Sequence, residues 1–113
     1  MHEYAVVENI VELAGNEANN HGAKKVTQIN LVLGELASVE PECLEMYFEL
    51  LSKGTVLEGA KLCFKSILAE LKCEKCGEIF EKNKSVIECP KCGKFGRFTG
   101  KGYEFYMESI EVV

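Results

Sequence analysis

Two cysteine pairs, Cys73-Glu-Lys-Cys76-Gly and Cys89-Pro-Lys-Cys92-Gly, stand twelve residues apart in the second half of a 113-residue chain, and they constrain its fold more than any other feature. Each pair can set two thiolates on one tight knuckle, where the glycine after the second cysteine permits the positive φ that turns backbone amides toward sulfur. Four thiolates close a tetrahedron, the geometry of a structural zinc site with no position left for substrate. A single iron ion can occupy the same thiolates, but ligand type and spacing favour Zn2+. Disulfides would need an oxidising compartment. No apolar leader follows Met1 and no apolar run reaches the roughly 20 residues of a membrane span. The expected setting is therefore cytoplasmic and reducing, with no membrane, where thiols stay available for metal.

The charge is uneven along the chain. The net charge is −5, yet residues 1–70 hold five lysines against eleven glutamates while residues 71–113 hold eight basic and seven acidic side chains. No basic field for nucleic acid spans the molecule, although the cysteine-bearing stretch alone keeps a modest positive excess.

From Tyr4 to about His21, Val7, Ile10, Val11, Ala14 and Ala18 recur at helical spacing, and Gly22 follows as a stop. Lys25 to Leu33 alternates as a strand does, with Ile29, Leu31 and Leu33 on one side. Pro41 suits the first position of a second helix, whose apolar stripe is Leu44, Tyr47, Phe48 and Leu51 and whose end is Gly54. Ala60 to Leu68 reads as a second strand running into the first knuckle, and Tyr103 to Val113 as a third. The expected fold is α+β: a small three-stranded sheet with two helices on one face, plus an inserted four-cysteine zinc ribbon. Residues 1–70 and 102–113 make the α+β domain, and residues 71–101 make the ribbon.

A saturated tetrathiolate cannot activate water without losing a ligand, so any transferring site lies elsewhere. In Met1-His2-Glu3 a free amine, backbone amides and an imidazole lie within three residues. Ni(II) and Cu(II) favour square-planar nitrogen sites of this kind, and the Glu3 carboxylate can add charge or an axial oxygen. The plainer reading is a frayed terminus with a chance histidine. His21 beside Gly22 reads as a helix-terminal imidazole, and Cys43 and Cys63 as small packed hydrophobes with no base beside them. No Ser/His/Asp or Cys/His arrangement is legible, so an enzyme is the least expected class. A zinc-ribbon interaction module for nucleic acid or transcription machinery is the competing function, because the ribbon carries lysines together with Phe80, Phe95 and Phe98.

Met1-His2-Glu3, Gly34-Glu-Leu, Gly54-Thr-Val-Leu-Glu-Gly-Ala60 and the two cysteine pairs follow one another in an order that resembles the HypA/HybF family of hydrogenase maturation proteins. The resemblance covers residues 1–113. It implies a nickel metallochaperone that binds Ni2+ at its N-terminus through the His2 imidazole and nearby amides, with Met1 and Glu3 adjoining. It implies delivery for maturation of NiFe hydrogenase and, in some organisms, urease. It also implies a structural Zn2+ at Cys73, Cys76, Cys89 and Cys92 that modulates nickel binding. The implied partners are a HypB-like NTPase, the hydrogenase large subunit and urease accessory proteins, with nucleic acid not among them, and the implied state is a monomer or homodimer. The chain departs from some members in having no histidine near the cysteines: His2 and His21 are its only two. A fourth nickel ligand then comes from backbone, the Met1 amine, a carboxylate or a partner.

Overall fold

The computed structural model describes residues 3–82 and 87–113. Its elements run α1 (Glu3–Asn20), β1 (Val26–Gly34), α2 (Pro41–Ser52), β2 (Lys61–Ile67), β3 (Glu70–Cys73), β4 (Ile79–Glu81), β5 (Gly96–Phe98) and β6 (Phe105–Val112). Two three-stranded sheets form, one in the order β2-β1-β6 and the other β4-β3-β5. The described chain divides into two compact units. One comprises residues 1–32, 38–65 and 106–113, the other residues 33–37 and 66–105. No described helix is long and apolar enough to cross a membrane.

The first unit follows the periodicity of its sequence. Val7, Ile10, Ala14 and Ala18 of α1 are buried, at spacings that keep them on one face, and Val11 beside them is half-buried. Leu44 and Phe48 are the buried stripe of α2, which starts with Pro41 in its first turn and has no side-chain cap from Glu40. The helices pack against each other, and Tyr4 meets Tyr47 edge to face at 5.5 Å between ring centroids. Ile29 and Leu31 on one pleat of β1 are buried, but so are Val26 and Val32 on the other, and Leu33, expected beside Ile29 and Leu31, is half-buried. Gln28 and Asn30, on the pleat of Val26 and Val32, carry a polar ladder: Gln28 Nε2 donates to Asn30 Oδ1 at 2.7 Å and Glu111 Oε2 at 2.8 Å, and Asn30 Nδ2 donates to Ser109 Oγ at 2.9 Å. The alternation read from the sequence is therefore partial: both pleats of β1 reach the core, and the polar ladder occupies the middle of one of them.

The main sheet is mixed. The Val26 N–H donates to the Val56 carbonyl and the Glu35 N–H to the Ile67 carbonyl, so β1 and β2 run the same way with α2 as the crossover. Lys24 and Val113 pair at one end of β1 and Gly34 and Glu104 at the other, so β6 is antiparallel to β1. The stretch from Gly54 to Ala60 closes α2 and turns into β2. Gly54 and Gly59 adopt positive φ, the Thr55 hydroxyl donates to the Ser52 carbonyl at 2.7 Å, and Leu57 is driven into the core.

The second strand does not run into the first knuckle as one piece. It ends at Ile67, and after Leu68 and Ala69 a separate strand, β3, begins the ribbon's own sheet. There Leu71 lies between Phe80 on β4 and Phe98 on β5, and Lys72 between Ile79 and Arg97. Gly96 opposite Cys73 has no room for a side chain, since a Cβ would stand 2.6 Å from the Phe80 ring and 2.9 Å from Leu71 Cβ.

Gly34 is the tightest backbone position: a Cβ there would lie 2.1 Å from the Gly102 carbonyl oxygen and 2.8 Å from the Glu104 nitrogen. Gly15, inside α1, has nothing within 4 Å of the same position. The two glycines should therefore respond oppositely to alanine. Gly15→Ala is expected to stabilise by about 0.5–1 kcal/mol through helix propensity, and Gly34→Ala to destabilise by at least about 1–3 kcal/mol through overpacking. Urea denaturation midpoints of the two variants check the signs, and equal shifts would contradict the packing described at Gly34.

Candidate metal centre

The two knuckles are built by one hydrogen-bond pattern used twice. In the first, the Cys73 N–H donates to the Glu78 carbonyl at 2.9 Å and the Gly77 N–H to the Cys73 carbonyl at 2.9 Å. In the second, the Cys89 N–H donates to the Lys94 carbonyl at 2.7 Å and the Gly93 N–H to the Cys89 carbonyl at 2.9 Å. Gly77 and Gly93 hold φ of 77° and 75°, which an L side chain rarely adopts, so the glycine after each second cysteine closes the turn as its position implies. The Lys91 N–H also points at Cys89 Sγ, 3.4 Å away.

The knuckles face each other. Cys73 Sγ lies 3.3 Å from Cys92 Sγ, Cys76 Sγ lies 3.6 Å from Cys89 Sγ, and all four sulfurs lie within 4.8 Å of one another. A tetrahedral ion with bonds to sulfur of about 2.3 Å places its ligands about 3.8 Å apart, so the donor set has the size and type for a thiophilic divalent cation. Cys73 and Cys89 are buried, Cys92 is half-buried and Cys76 is exposed. Cys43 and Cys63, both half-buried, stand outside the cluster, which is the only group of three or more potential metal-ligating side chains among the described residues.

Electrostatics of the bare thiols give the same message. The Cys76 backbone N–H, with lesser help from Cys92, overcomes dehydration and holds the Cys73 thiol down at about 6. The Glu78 N–H favours the Cys76 thiolate, but dehydration and the sulfurs of Cys89, Cys73 and Cys92 outweigh it and push that thiol up to about 11. Cys92 is likewise raised: the Lys94 N–H lowers it, and the Cys73 sulfur together with dehydration prevails. Four sulfurs this close cannot all carry charge without a counter-ion, so the Cys73 thiol is eased toward ionisation while those of Cys76 and Cys92 are held back from it. A divalent cation removes that conflict and displaces the protons.

Of the residues expected at the nickel site, Glu3 is the first residue of α1 and lies in its first turn. Met1 and His2 lie outside the described residues. His21 follows the end of α1, and its Nε2 meets Glu17 Oε1 at 3.0 Å, an i,i+4 pair at the surface. The charge pattern of the ribbon was not legible beforehand. Lys91 pairs with Glu78 at 3.2 Å, Arg97 with Glu74 at 2.7 Å, Lys101 with Glu70 at 3.9 Å and Lys82 with Glu35 at 3.1 Å. Among the described residues, carboxylates thus pair with Lys82, Lys91, Arg97 and Lys101, which leaves less uncompensated positive charge for a phosphate backbone than the sequence implies, although Phe95 and Phe98 are exposed. Glu35 was also missed as a structural residue, since its partners lie 34 and 47 residues away.

Comparison with known proteins agrees with the geometry. A family profile described as "Hydrogenase/urease nickel incorporation, metallochaperone, hypA" matches residues 1–112. Hydrogenase maturation factor HypA of Caldanaerobacter subterraneus subsp. tengcongensis is 44% identical over 113 residues, spanning 99% of both chains. The HypA of Dehalococcoides mccartyi is 39% identical over 112 residues, spanning 99% of this chain and 94% of that one. Among solved structures, the solution structure of the Ni metallochaperone HypA from Helicobacter pylori superposes with a TM-score of 0.64 at 26% identity, covering 100% of this chain and 98% of that one. A second solution structure, of a HypA protein, reaches 0.70 at 28% identity and covers 100% and 97%. Full-length similarity, the αβαβ order and the clustered thiols converge: the chain belongs to the HypA family of nickel metallochaperones for hydrogenase and urease maturation, a family without enzymatic activity.

Proposed function

We propose that this chain binds Ni(II) at Met1-His2-Glu3, holds a structural Zn(II) between Cys73, Cys76, Cys89 and Cys92, and hands nickel on in the cytoplasm. The nickel reading is supported by the place of Met1-His2-Glu3 at the N-terminal end of α1, of which Glu3 is the first described residue. The first four amides of a helix have no intrahelical acceptor, so amide nitrogens at this end are free to lose a proton to a metal without breaking the helix. With the Met1 amine and the His2 imidazole they make a nitrogen-rich, square-planar set, which suits Ni(II) and does not suit Zn(II). Glu3 adds a carboxylate beside it. The cysteine cluster takes the opposite role: four soft, mutually shielding thiolates saturate Zn(II) and keep it. Zinc is favoured over iron on the same grounds.

The nearest exposed surface of α1 is acidic, with Glu8 and Glu12 solvent-facing. A HypB-like NTPase docking there would bring its own ligands to the nickel, with the hydrogenase large subunit, or urease accessory proteins, as the onward recipient. Charge reversal at Glu8 and Glu12 to lysine should weaken that complex and reduce or invert its salt dependence, as read by binding titrations at two ionic strengths. A complex that responds only to ribbon substitutions would place the docking face elsewhere.

Two measurements test the metal assignments. The purified protein should carry one zinc per chain, and Cys73→Ser or Cys89→Ser should unfold the ribbon while the helical circular dichroism largely persists. Because zinc displaces protons from the raised thiols, its retention should be strongest at high pH and fall with pH, dropping most steeply below about 6, where Cys73 also takes a proton. Metal analysis after dialysis across that range reads the outcome.

Nickel binding by the untagged, zinc-loaded protein should vanish in His2→Ala and weaken when the N-terminus is extended, while His21→Ala leaves it nearly unchanged. A yellow, diamagnetic complex is expected, lost as pH falls through the imidazole range near 6.5. Full nickel affinity in His2→Ala would move the site.

A further inference from the structure

The strands of the ribbon sheet are four, three and three residues long, so length alone holds their pairing register weakly. Register is decisive here. In β3, Leu71 and Cys73 are buried and Lys72 between them is exposed, so a slip by one residue would turn Lys72 inward and carry Cys73 away from Cys92.

Cys73 and Cys76 occupy the closed end of the β3–β4 hairpin. Toward its open end the Lys82 N–H donates to the Ala69 carbonyl at 2.9 Å. The same two residues are joined a second time, through Glu35. The N–H of Ala69, a fully buried residue, donates to Glu35 Oε1 at 2.9 Å, and the Lys82 ammonium donates to Glu35 Oε2 at 3.1 Å. These bonds, the Ala69 amide foremost, hold the Glu35 carboxyl below its usual range. The two oxygens of one carboxylate therefore grip the two strands of one hairpin. Glu35 is itself pinned: its own N–H donates to the Ile67 carbonyl at 2.8 Å, and the next amide, of Leu36, donates to the Gly102 carbonyl at 2.7 Å. Those acceptors belong to the segments that lead into and out of the ribbon. This carboxylate is not among the clustered metal-ligating groups of the thiolate site.

We propose that Glu35 is a positioning residue for the four-cysteine site: by clamping Ala69 and Lys82 it fixes the register of the β3–β4 hairpin and so the placement of Cys73 and Cys76 opposite Cys92 and Cys89. Without it the Ala69 amide loses its acceptor in a buried position, and the hairpin frays from its open end toward the knuckle. The Gly34-Glu-Leu motif then has a division of labour, with Gly34 allowing the close approach and Glu35 making the clamp.

The test uses full-length zinc-loaded protein with Glu35→Ala, Glu35→Gln and, as a control on the same hairpin, Glu81→Gln. Two rates are read: hydrogen exchange at the Ala69 amide, and transfer of zinc to a chromogenic chelator. The second readout rests on the zinc assignment above and the first does not. In Glu35→Ala both rates should rise about tenfold or more. In Glu35→Gln, whose amide oxygen still accepts from Ala69 but whose NH2 group faces the Lys82 ammonium, they should rise by less, and in Glu81→Gln they should stay at the wild-type values. The slow amides of α1 and α2 should keep their rates throughout, which separates positioning from general destabilisation. Lys82→Met in the wild type should accelerate both rates. Should Glu35→Ala fail to fold, Glu35→Gln and Lys82→Met carry the comparison. An unchanged Ala69 exchange rate in the Glu35 variants, or unchanged zinc release from protein holding one zinc per chain, would overturn the proposal. A protein that holds no zinc at all would overturn the zinc assignment instead, and the Ala69 rate would then decide the role of Glu35 alone.

Discussion

Four sulfurs held within 4.8 Å of one another cannot all be ionised unless something positive lies among them, and the second unit of this protein is organised around that conflict. Its sheet is too small to be held by apolar burial alone: Leu71 and Ala69 are the only fully buried side chains apart from cysteine that β3 and the residue before it contribute. The binding energy of a cation to four thiolates supplies what a core of that size lacks. The details follow from this. Two glycines with positive φ aim amides at sulfur, a third glycine at 96 lets Phe80 and Leu71 close beneath the site, and ion pairs between neighbouring lysines, arginine and glutamates keep the surface from adding a second charge imbalance.

The first unit solves a different problem by ordinary means. Two helices pack together through apolar stripes, β1 adds buried residues from both of its pleats, and an amide and hydroxyl ladder links β1 to β6. Four thiols that saturate an ion leave no coordination position open to a recipient, so an ion that is to be passed on would have to be held elsewhere in the chain.

The family resemblance rested partly on Gly34-Glu-Leu and on the stretch from Gly54 to Ala60, and both have physical explanations. The second is a turn that ends α2 and plugs the core with Leu57. The first is a crossing point: Gly34 leaves no space for a Cβ against Gly102, while successive amides from Gly34 to Leu36 donate to Glu104, Ile67 and Gly102 in turn. A three-residue motif thus meets both segments that bound the ribbon.

What could be read without coordinates was whatever depends on neighbours in the chain. Helical spacing in α1 and α2, alternation in β1, the stop at Gly22 and the paired cysteines with their glycines are local signals, because each arises from backbone geometry over a few residues. The order of elements and the four-thiol cluster followed from them. Three features needed the tertiary structure. The ribbon strands β3, β4 and β5 are too short for a period-two pattern to show, so the sequence marks none of them, and β2, expected to run into the first knuckle, ends at Ile67. The pairing of ribbon lysines with glutamates depends on register between strands, which no single segment encodes. The clamp of Glu35 joins residues separated by 34 and 47 positions, and a lone glutamate after a glycine carries no mark of a partner so far along the chain. Short-range spacing determined which four thiols could share an ion; long-range contacts decided how those thiols are held in place.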